Sequence, residues 1–381
     1  MRLADLIAQL DQWYDPRWAE PWDTVGLVCG DPEQEVRRIL LAVDPVIAVV
    51  DEAVAAEADL LLVHHPLFLT PVSSVAATTP KGAVVHRLLR HGIALFNAHT
   101  NADVPADGVN DAVAKALDLR DARVLAPTDG AGLDKLVVFV PADAAEGVRR
   151  AVTGAGAGAI GAYDSCTFST PGEGRFRPLD GADPAVGRVG ELEVVEEVRV
   201  EAVYPRALRG RVVETLRAAH PYEEPAFDLV ELADVPGGPV TGPAPAATRG
   251  HGRVGRLGEA LSLRVFADRV AAAFPQTAHG VRVAGGPDRE VRTVAVAAGS
   301  GESLLEDARR AGADVVVTSD LKHHRASEFL EGGGPALVDI AHWAAEWSWL
   351  PVVASKLRER AGDTVDVRVS TLVTDPWTFR A

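Results

Sequence analysis

Ala58-Asp-Leu-Leu-Leu-Val-His-His-Pro-Leu-Phe68 is the stretch from which the predicted architecture follows. Leu60 to Val63 is a short apolar run, which is typical of a strand buried on both faces of a parallel sheet. His64 and His65 follow it, and Pro66 favours an extended backbone before it. Ligands of open α/β sheets bind beyond the carboxyl ends of the strands, and neutral imidazole is the commonest metal ligand. The pair indicates a metal site; the alternative is that it only caps the strand and its loop.

Strands and helices alternate on both sides of this stretch. Apolar periodicity predicts strands at 38–43 and 93–96, and helices at 3–13, 46–56, 82–90 and 109–117. Such alternation predicts βαβ units and a largely parallel sheet. The run Ala313-Asp-Val-Val-Val-Thr-Ser-Asp-Leu-Lys-His-His324 has the same order of features as the first stretch, and we interpret it as a weak internal repeat.

Two segments rich in glycine, proline and polar residues, 121–132 and 236–250, interrupt this pattern and are predicted to be linkers. Between them the order βα…βαβ over roughly 100 residues predicts a small ferredoxin-like α+β domain. We therefore predict an α/β protein in three segments. Residues 1–125 form the first lobe of an α/β domain, residues 126–245 an inserted α+β domain, and residues 246–381 the second lobe.

The composition excludes several classes of function. The net charge of −16, from 38 basic and 54 acidic residues, gives no electrostatic footprint for nucleic acid and would repel anionic membranes. No apolar run reaches membrane-spanning length, and the N-terminus lacks the apolar core of a signal peptide. Cys29 and Cys166 lie far apart, so no disulfide framework is indicated. We expect a cytoplasmic protein with no nucleic-acid or membrane partner.

Two further motifs place carboxylates and imidazoles beside predicted strand ends. His99-Thr-Asn-Ala-Asp103 follows the strand at 93–96, and His342 and Glu346 lie four residues apart after a strand at 336–340. Residues four apart share one face of a helix, although an isolated pair of this kind is more often a surface interaction. Together these groups suit zinc, iron, manganese or nickel and disfavour calcium and magnesium.

Three other features have weaker interpretations. Asp320-Leu-Lys-His-His324 could supply hydrogen bonds behind the metal ligands. Gly299-Ser-Gly-Glu-Ser303 could cradle a phosphate, but it lacks the Walker lysine, and a tight turn is favoured. His220-Pro-Tyr-Glu-Glu224 is interpreted as a capping or interface segment rather than a metal site.

The chain as a whole resembles the GTP cyclohydrolase I type 2 homologues, also described as Nif-like dinuclear metal-centre proteins. The matching motifs are Trp22-Asp-Thr-Val-Gly-Leu27, Val63-His-His-Pro-Leu-Phe68, Ala98-His-Thr-Asn-Ala-Asp103, Ser319-Asp-Leu-Lys-His-His324 and Asp339-Ile-Ala-His-Trp-Ala-Ala-Glu346. The inserted segment resembles the PII/CutA-like domain of the longer members through Gly154 to Phe168, Gly172-Glu-Gly-Arg-Phe176 and His220-Pro-Tyr-Glu-Glu-Pro225. Thr24 and Ser319 depart from the residues usual in the family, asparagine and glycine.

The resemblance implies two divalent metal ions per subunit: zinc, iron or manganese. It implies that His65 and Asp103 hold one ion, that His64 and His342 hold the other, and that Glu346 bridges them. It also implies a toroidal homohexamer and, from the family name, hydrolytic opening of a guanine nucleotide ring.

Two functions of different classes follow. The first is a metal-dependent hydrolase whose small-molecule substrate is a nucleotide or a phosphate ester. His99 and His324 are its candidate general acid or base. The second is a metal-binding regulatory or metal-delivery protein, in which the inserted domain senses a ligand or gates the cavity.

Overall fold

The computed structural model describes residues 1–128, 132–232 and 249–381. Contacts divide the chain into two units. The outer unit consists of Met1–Ala126 and Thr248–Ala381, and the inserted unit of Pro127–Ala247. Within the described ranges, no helix is both long enough and apolar enough to cross a membrane.

The strands are β1 (Gly26–Cys29), β2 (Arg38–Ala42), β3 (Leu60–Val63), β4 (Ala94–Asn97), β5 (Arg120–Pro127), β6 (Leu133–Pro141), β7 (Thr167–Phe176), β8 (Glu193–Pro205), β9 (Phe227–Glu231), β10 (Gly250–Ser262), β11 (Val281–Ala284), β12 (Glu290–Ser300), β13 (Val315–Ser319), β14 (Ala336–Ile340) and β15 (Asp366–Val369). The helices are α1 (Leu3–Trp13), α2 (Ile47–Ala55), α3 (Pro80–Arg90), α4 (Thr100–Asp103), α5 (Val109–Ala116), α6 (Ala145–Gly154), α7 (Arg209–Ala219), α8 (Leu263–Ala273), α9 (Leu305–Arg310), α10 (His323–Glu331), α11 (His342–Trp347) and α12 (Leu350–Ala361).

The first sheet of the outer unit has the order β1-β4-β3-β2-β15. Its central strand β3 is buried along its whole length, as its unbroken apolar run predicts. It pairs in parallel with β2 and β4, and β2 pairs in parallel with β15. Because β2, β3 and β4 run in the same direction, the residues that follow them meet at one edge of the sheet.

The second sheet has the order β11-β14-β13-β12-β10-β5. Its strand β13, the internal-repeat counterpart of β3, is also fully buried and pairs in parallel with β12 and β14. Each sheet receives one outermost strand from the part of the chain that forms most of the other sheet. β15 comes from the C-terminal part of the chain and completes the first sheet, whereas β5 precedes the inserted unit and completes the second.

The inserted unit follows the order β6-α6-β7-β8-α7-β9, with an antiparallel sheet in the order β7-β8-β6-β9. This is the ferredoxin-like arrangement, so the predicted fold class is confirmed for this unit as for the α/β unit around it. Asp134 is fully buried there and accepts hydrogen bonds from Arg206 (2.9 Å) and Arg209 (2.6 Å).

The linker predicted at 121–132 is wrong over most of its length, because Arg120–Pro127 is strand β5. Only Val124 and Leu125 of this strand are buried, and it is held by pairing with the distant β10 rather than by its own β propensity. Strand β7 was also not predicted, since its Pro-Gly-Glu-Gly segment has the composition of a turn. Most of the second predicted linker, residues 236–248, lies outside the described residues.

Candidate metal centre

Four histidines converge at the carboxyl edges of the two sheets of the outer unit. His64 and His65 follow β3, His99 follows β4, and His342 is the first residue of α11, just beyond β14. One ring nitrogen from each of His64, His65 and His99 lies within 4.8 Å of the others. The same limit holds for His65, His342 and a carboxylate oxygen of Glu346. We call these four histidines together with Asp103 and Glu346 the central cluster.

Each histidine of the central cluster is held from behind through its Nδ1 atom. The Nδ1 acceptors are Ala98 O for His64 (2.8 Å), Asp44 for His65 (2.6 Å), Asp23 for His99 (2.9 Å) and Asp320 for His342 (2.6 Å). Because Nδ1–H is committed to an acceptor, Nε2 is the atom left for the centre. Hydrogen bonds of this kind, which fix the tautomer and the ring orientation, are typical of metal-binding histidines.

Glu346 lies between the histidines. Its side chain is 5% exposed, with Oε1 2.8 Å from His342 Nε2 and 3.4 Å from His64 Nε2. Its Oε2 lies 2.9 Å from His65 Nε2. One carboxylate oxygen therefore faces two imidazoles and the other faces a third.

The buried polar atoms of the central cluster fit a cation better than they fit one another. His64 Nε2, Asp103 Oδ1 and Glu346 Oε2 have no hydrogen-bond partner of acceptable geometry among the described residues. His64 Nε2 presents a lone pair, since Nδ1 carries the proton, and it lies 3.8 Å from Asp103 Oδ1. Acceptors that face acceptors in a buried site are costly unless a positive charge lies between them. Imidazole and carboxylate are the ligands of zinc, iron and manganese.

A glycine keeps this centre open on one side. Gly299 has φ +67°, and a Cβ atom there would lie 2.8 Å from Glu346 Oε1 and 3.3 Å from His342 Nε2. The tight turn favoured for Gly299-Ser303 is present, since Leu304 N–H donates to Gly301 O (3.0 Å). Thr318 anchors it: Gly301 N–H donates to Thr318 Oγ1 (2.9 Å), which donates to Gly299 O (3.2 Å).

The charges of the cluster shift its pKa values in opposite directions. Burial alone would lower the pKa of His65, but Glu346 and Asp44 outweigh it and raise that pKa to about 10. Glu346 raises the pKa of His342 to about 11 against the effect of burial. Burial raises the pKa of Asp103 well above its usual range, and the charge of Glu346 adds to this. Without metal, His65 and His342 are therefore protonated, and both face the carboxylate of Glu346.

Some predicted residues lie apart from this arrangement. His324 is exposed in the first turn of α10 with its ring beside His323, and no described contact joins it to the central cluster. The described contacts of Asp103 lead to His64 rather than to His65, so the division of the ligands between two ions stays a prediction. His99, which is predicted to act as a general acid or base, also lies close enough to His64 and His65 to share a metal ion with them.

A cavity of about 460 Å³ opens beside the central cluster. Its wall includes His99, Asp103, His342 and Glu346 from the cluster, and the turn that begins at Gly299. Near it Trp22 is 59% exposed and stands edge-on to the His99 ring. The cavity has the size of a small-molecule site, and its polar lining includes Glu20 and His251 as well as the cluster.

The sequence predicts no role for Asp44 or Asp23, and it favours only a tight turn at Gly299. Asp44 follows the end of β2 as His64 follows the end of β3, so the position of a carboxylate at a strand end was the available signal. Asp23 belongs to the motif Trp22–Leu27. Its hydrogen bond to His99 joins residues 76 positions apart, so no local sequence pattern predicts it.

Comparisons with known proteins agree with this architecture. The model of the Duf34/NIF3 (NGG1p interacting factor 3) family matches residues 1–376. A GTP cyclohydrolase 1 type 2 homolog of Mycobacterium tuberculosis is 50% identical over 378 residues, 99% of this chain and 97% of that protein. The protein of that name from Bacillus subtilis is 39% identical over 377 residues, 98% of this chain and 97% of that protein. The crystal structure of a Bacillus cereus protein related to NIF3 is 36% identical, with a TM-score of 0.66, over 100% of this chain and 99% of that one.

Proposed function

Because the chain belongs to the Duf34/NIF3 family, we propose that it binds two divalent metal ions per subunit and hydrolyses a nucleotide or a phosphate ester in the adjoining cavity. The observation that carries this proposal is the pair of buried acceptor atoms, His64 Nε2 and Asp103 Oδ1, that lack hydrogen-bond partners and lie 3.8 Å apart beside the buried carboxylate of Glu346. The name of the relatives, GTP cyclohydrolase 1 type 2 homolog, supports a nucleotide as the substrate.

The residues proposed to hold the ions are His64, His65, Asp103, His342 and Glu346. Glu346 suits the bridging role because Oε1 faces His64 and His342 while Oε2 faces His65. When bound, a pair of zinc, iron or manganese ions would supply an activated water and would polarise the bond to be cleaved.

The remaining residues of the cavity orient the substrate and move protons. Asp23 and Thr100 fix His99: Thr100 donates to Asp23 Oδ2, and His99 Nδ1–H donates to Asp23 Oδ1. His99 Nε2 is therefore the atom that accepts or returns a proton at the substrate. The indole of Trp22 offers an exposed aromatic face near the cavity for a planar base.

The test compares three variants of the full chain. Glu346→Ala is expected to lose both ions, His65→Ala to lose mainly one, and the exposed control Glu359→Ala to retain both. Metal content per chain is measured after loading with zinc, iron or manganese, with circular dichroism to verify folding. Retention of both ions in Glu346→Ala would contradict the bridging role.

The catalytic part of the proposal is tested with loaded wild-type protein. Guanosine, GMP, GTP and p-nitrophenyl phosphate are incubated with it, and the products are separated by chromatography. We expect turnover of at least one compound, and its loss in Glu346→Ala. Absence of turnover throughout would contradict the hydrolase.

The second candidate function is metal delivery. The observation that favours it is the raised pKa of His65 and His342, because protons then compete with metal for both imidazoles. Transfer of zinc from loaded protein to a metal-free acceptor, without turnover of any substrate, would select this function. The homohexamer also stays a proposal, and light scattering on the purified protein tests it.

A further inference from the structure

The C-terminal segment after β15 reaches the central cluster from outside. Ser370 is anchored at the end of the first sheet: its N–H donates to Leu41 O (2.8 Å) and its Oγ to Glu52 Oε2 (2.5 Å). Trp347 Nε1 of α11 donates to Ser370 O (2.8 Å). The chain beyond this anchor passes over the same edge of the sheet from which Asp44 and His65 project.

The segment turns inward at two residues only. Residues 371–373 and 376–381 are exposed, whereas Thr374 is half-buried and Asp375 is 8% exposed. Burying polar residues in an otherwise exposed tail is costly without a specific partner. Thr374 has such a partner, because its hydroxyl donates to Asp44 Oδ2.

The hydroxyl of Thr374 completes the hydrogen bonding of Asp44. Asp44 Oδ1 accepts from His65 Nδ1–H (2.6 Å), and Asp44 Oδ2 accepts from Thr374. With both oxygens engaged the carboxylate cannot rotate, so the direction of the imidazole is also fixed. The Nε2 atom of His65 is thereby held toward Glu346.

The same arrangement occurs a second time in the cluster. His99 Nδ1–H donates to Asp23 Oδ1, and Asp23 Oδ2 accepts from Thr100 Oγ1 (2.5 Å). In that case the threonine is the next residue after the histidine. For His65 the threonine lies 330 positions from the aspartate it holds.

We propose that Thr374 is a positioning residue for the metal centre and that residues 370–375 form a strap that orients His65 through Asp44. The affinity readout rests on the proposed metal binding. Removal of a hydrogen-bond partner behind a metal ligand weakens binding about 10–100-fold, which we expect for Asp44→Asn. Thr374 lies one hydrogen bond further from the ion than Asp44. Thr374→Val should therefore weaken binding of the ion that His65→Ala affects by about three- to tenfold.

The experiment uses the full chain with three substitutions. Thr374→Val removes the hydroxyl and keeps the shape, Thr374→Ser restores the hydroxyl, and Thr378→Val is the control in the exposed tail. Zinc affinity is measured by chelator competition. In metal-free protein, 15N NMR follows hydrogen exchange of His65 Nδ1–H, which should be faster in Thr374→Val and normal in the other two.

The outcomes separate this inference from the proposed function. Weaker zinc binding in Thr374→Val with recovery in Thr374→Ser supports the strap. Zinc affinity and His65 exchange that are both unchanged in Thr374→Val would overturn it. If wild-type protein binds no zinc but exchange is faster in Thr374→Val, metal binding is refuted and the positioning of His65 by Thr374 stands.

Discussion

Gly299→Ala is expected to damage the proposed metal centre without unfolding the protein. Gly299 has φ +67°, and the left-handed region costs a residue with a Cβ atom about 1–2 kcal/mol. The new atom would lie 2.8 Å from Glu346 Oε1 and 3.3 Å from His342 Nε2, closer than the about 3.5 Å of an ordinary contact. Because Glu346 is buried, its carboxylate can yield only by leaving its partners.

Gly312→Ala provides the matched control. Gly312 has φ +72° and open space where a Cβ atom would be, so it carries the backbone strain without the collision. Both variants should lose about 1–2 kcal/mol of the free energy of unfolding to backbone strain, and Gly299→Ala should lose more because its Cβ atom also displaces Glu346. A functional site tolerates displacements of about 0.5 Å, so Gly299→Ala alone should lose about 10–100-fold in zinc affinity, or about 1.4–2.8 kcal/mol.

Chelator competition gives the zinc affinity of each variant, and urea titration gives its stability. Equal zinc affinity in Gly299→Ala and Gly312→Ala would refute the idea that zinc binding needs the space that glycine leaves at position 299. A loss of affinity in both would mean that backbone strain, not the contact with Glu346, is responsible.

Four further predictions concern proton release on metal binding, the pH dependence of stability, the inserted unit and its excision. Zinc binding at pH 8 should release about two protons, which an indicator dye measures. Neighbouring carboxylates hold the pKa of His65 at about 10 and that of His342 at about 11, and both imidazoles must be neutral to bind zinc. Release of no protons would contradict this prediction. For the same reason the free energy of unfolding of metal-free protein should fall as the pH rises from about 6.5 through 10, since the folded state then holds protons that the unfolded state has lost. Asp134→Asn should destabilise the inserted unit by about 2–3 kcal/mol, measured by urea titration. This loss is smaller than that for breaking a fully buried ion pair, because the arginine partners of Asp134 are part-exposed. The exposed control Asp228→Asn should change the stability little. A variant in which a short Gly/Ser linker replaces residues 128–247 should keep the metal content of wild-type protein, as every proposed ligand lies in the outer unit; a folded variant without metal would contradict the proposal.

The parts of the fold that were predictable have local signals. Leu60–Val63 is an unbroken apolar run and is strand β3 at the predicted bounds, and α1 follows the spacing of Leu3, Leu6 and Leu10. Strands β5 and β15 are not predicted because they form by pairing with strands that are distant in the sequence. The composition of segments of only eight and four residues does not reveal such pairing.

The candidate site divides in the same way. Histidines at strand ends are visible in sequence, and the family resemblance grouped them with Asp103 and Glu346. The residues that orient them are not visible, since Asp44 and Thr374 are separated by 330 positions and neither stands in a quoted motif. Gly299 was assigned to a tight turn, but its closeness to Glu346 exists only once α11 packs beside that turn.

The exchange of strands between the two sheets has a consequence for synthesis on the ribosome. Among the described residues, β15 (Asp366–Val369) alone pairs with the outer edge of strand β2. At about 5–20 residues per second, the backbone N–H and C=O groups along the outer edge of Arg38–Ala42 stay unpaired for tens of seconds after the strand is made. An exposed strand edge of this kind is a template for pairing with another chain. A message truncated before β15 should therefore yield aggregated or chaperone-bound product rather than a shorter working protein.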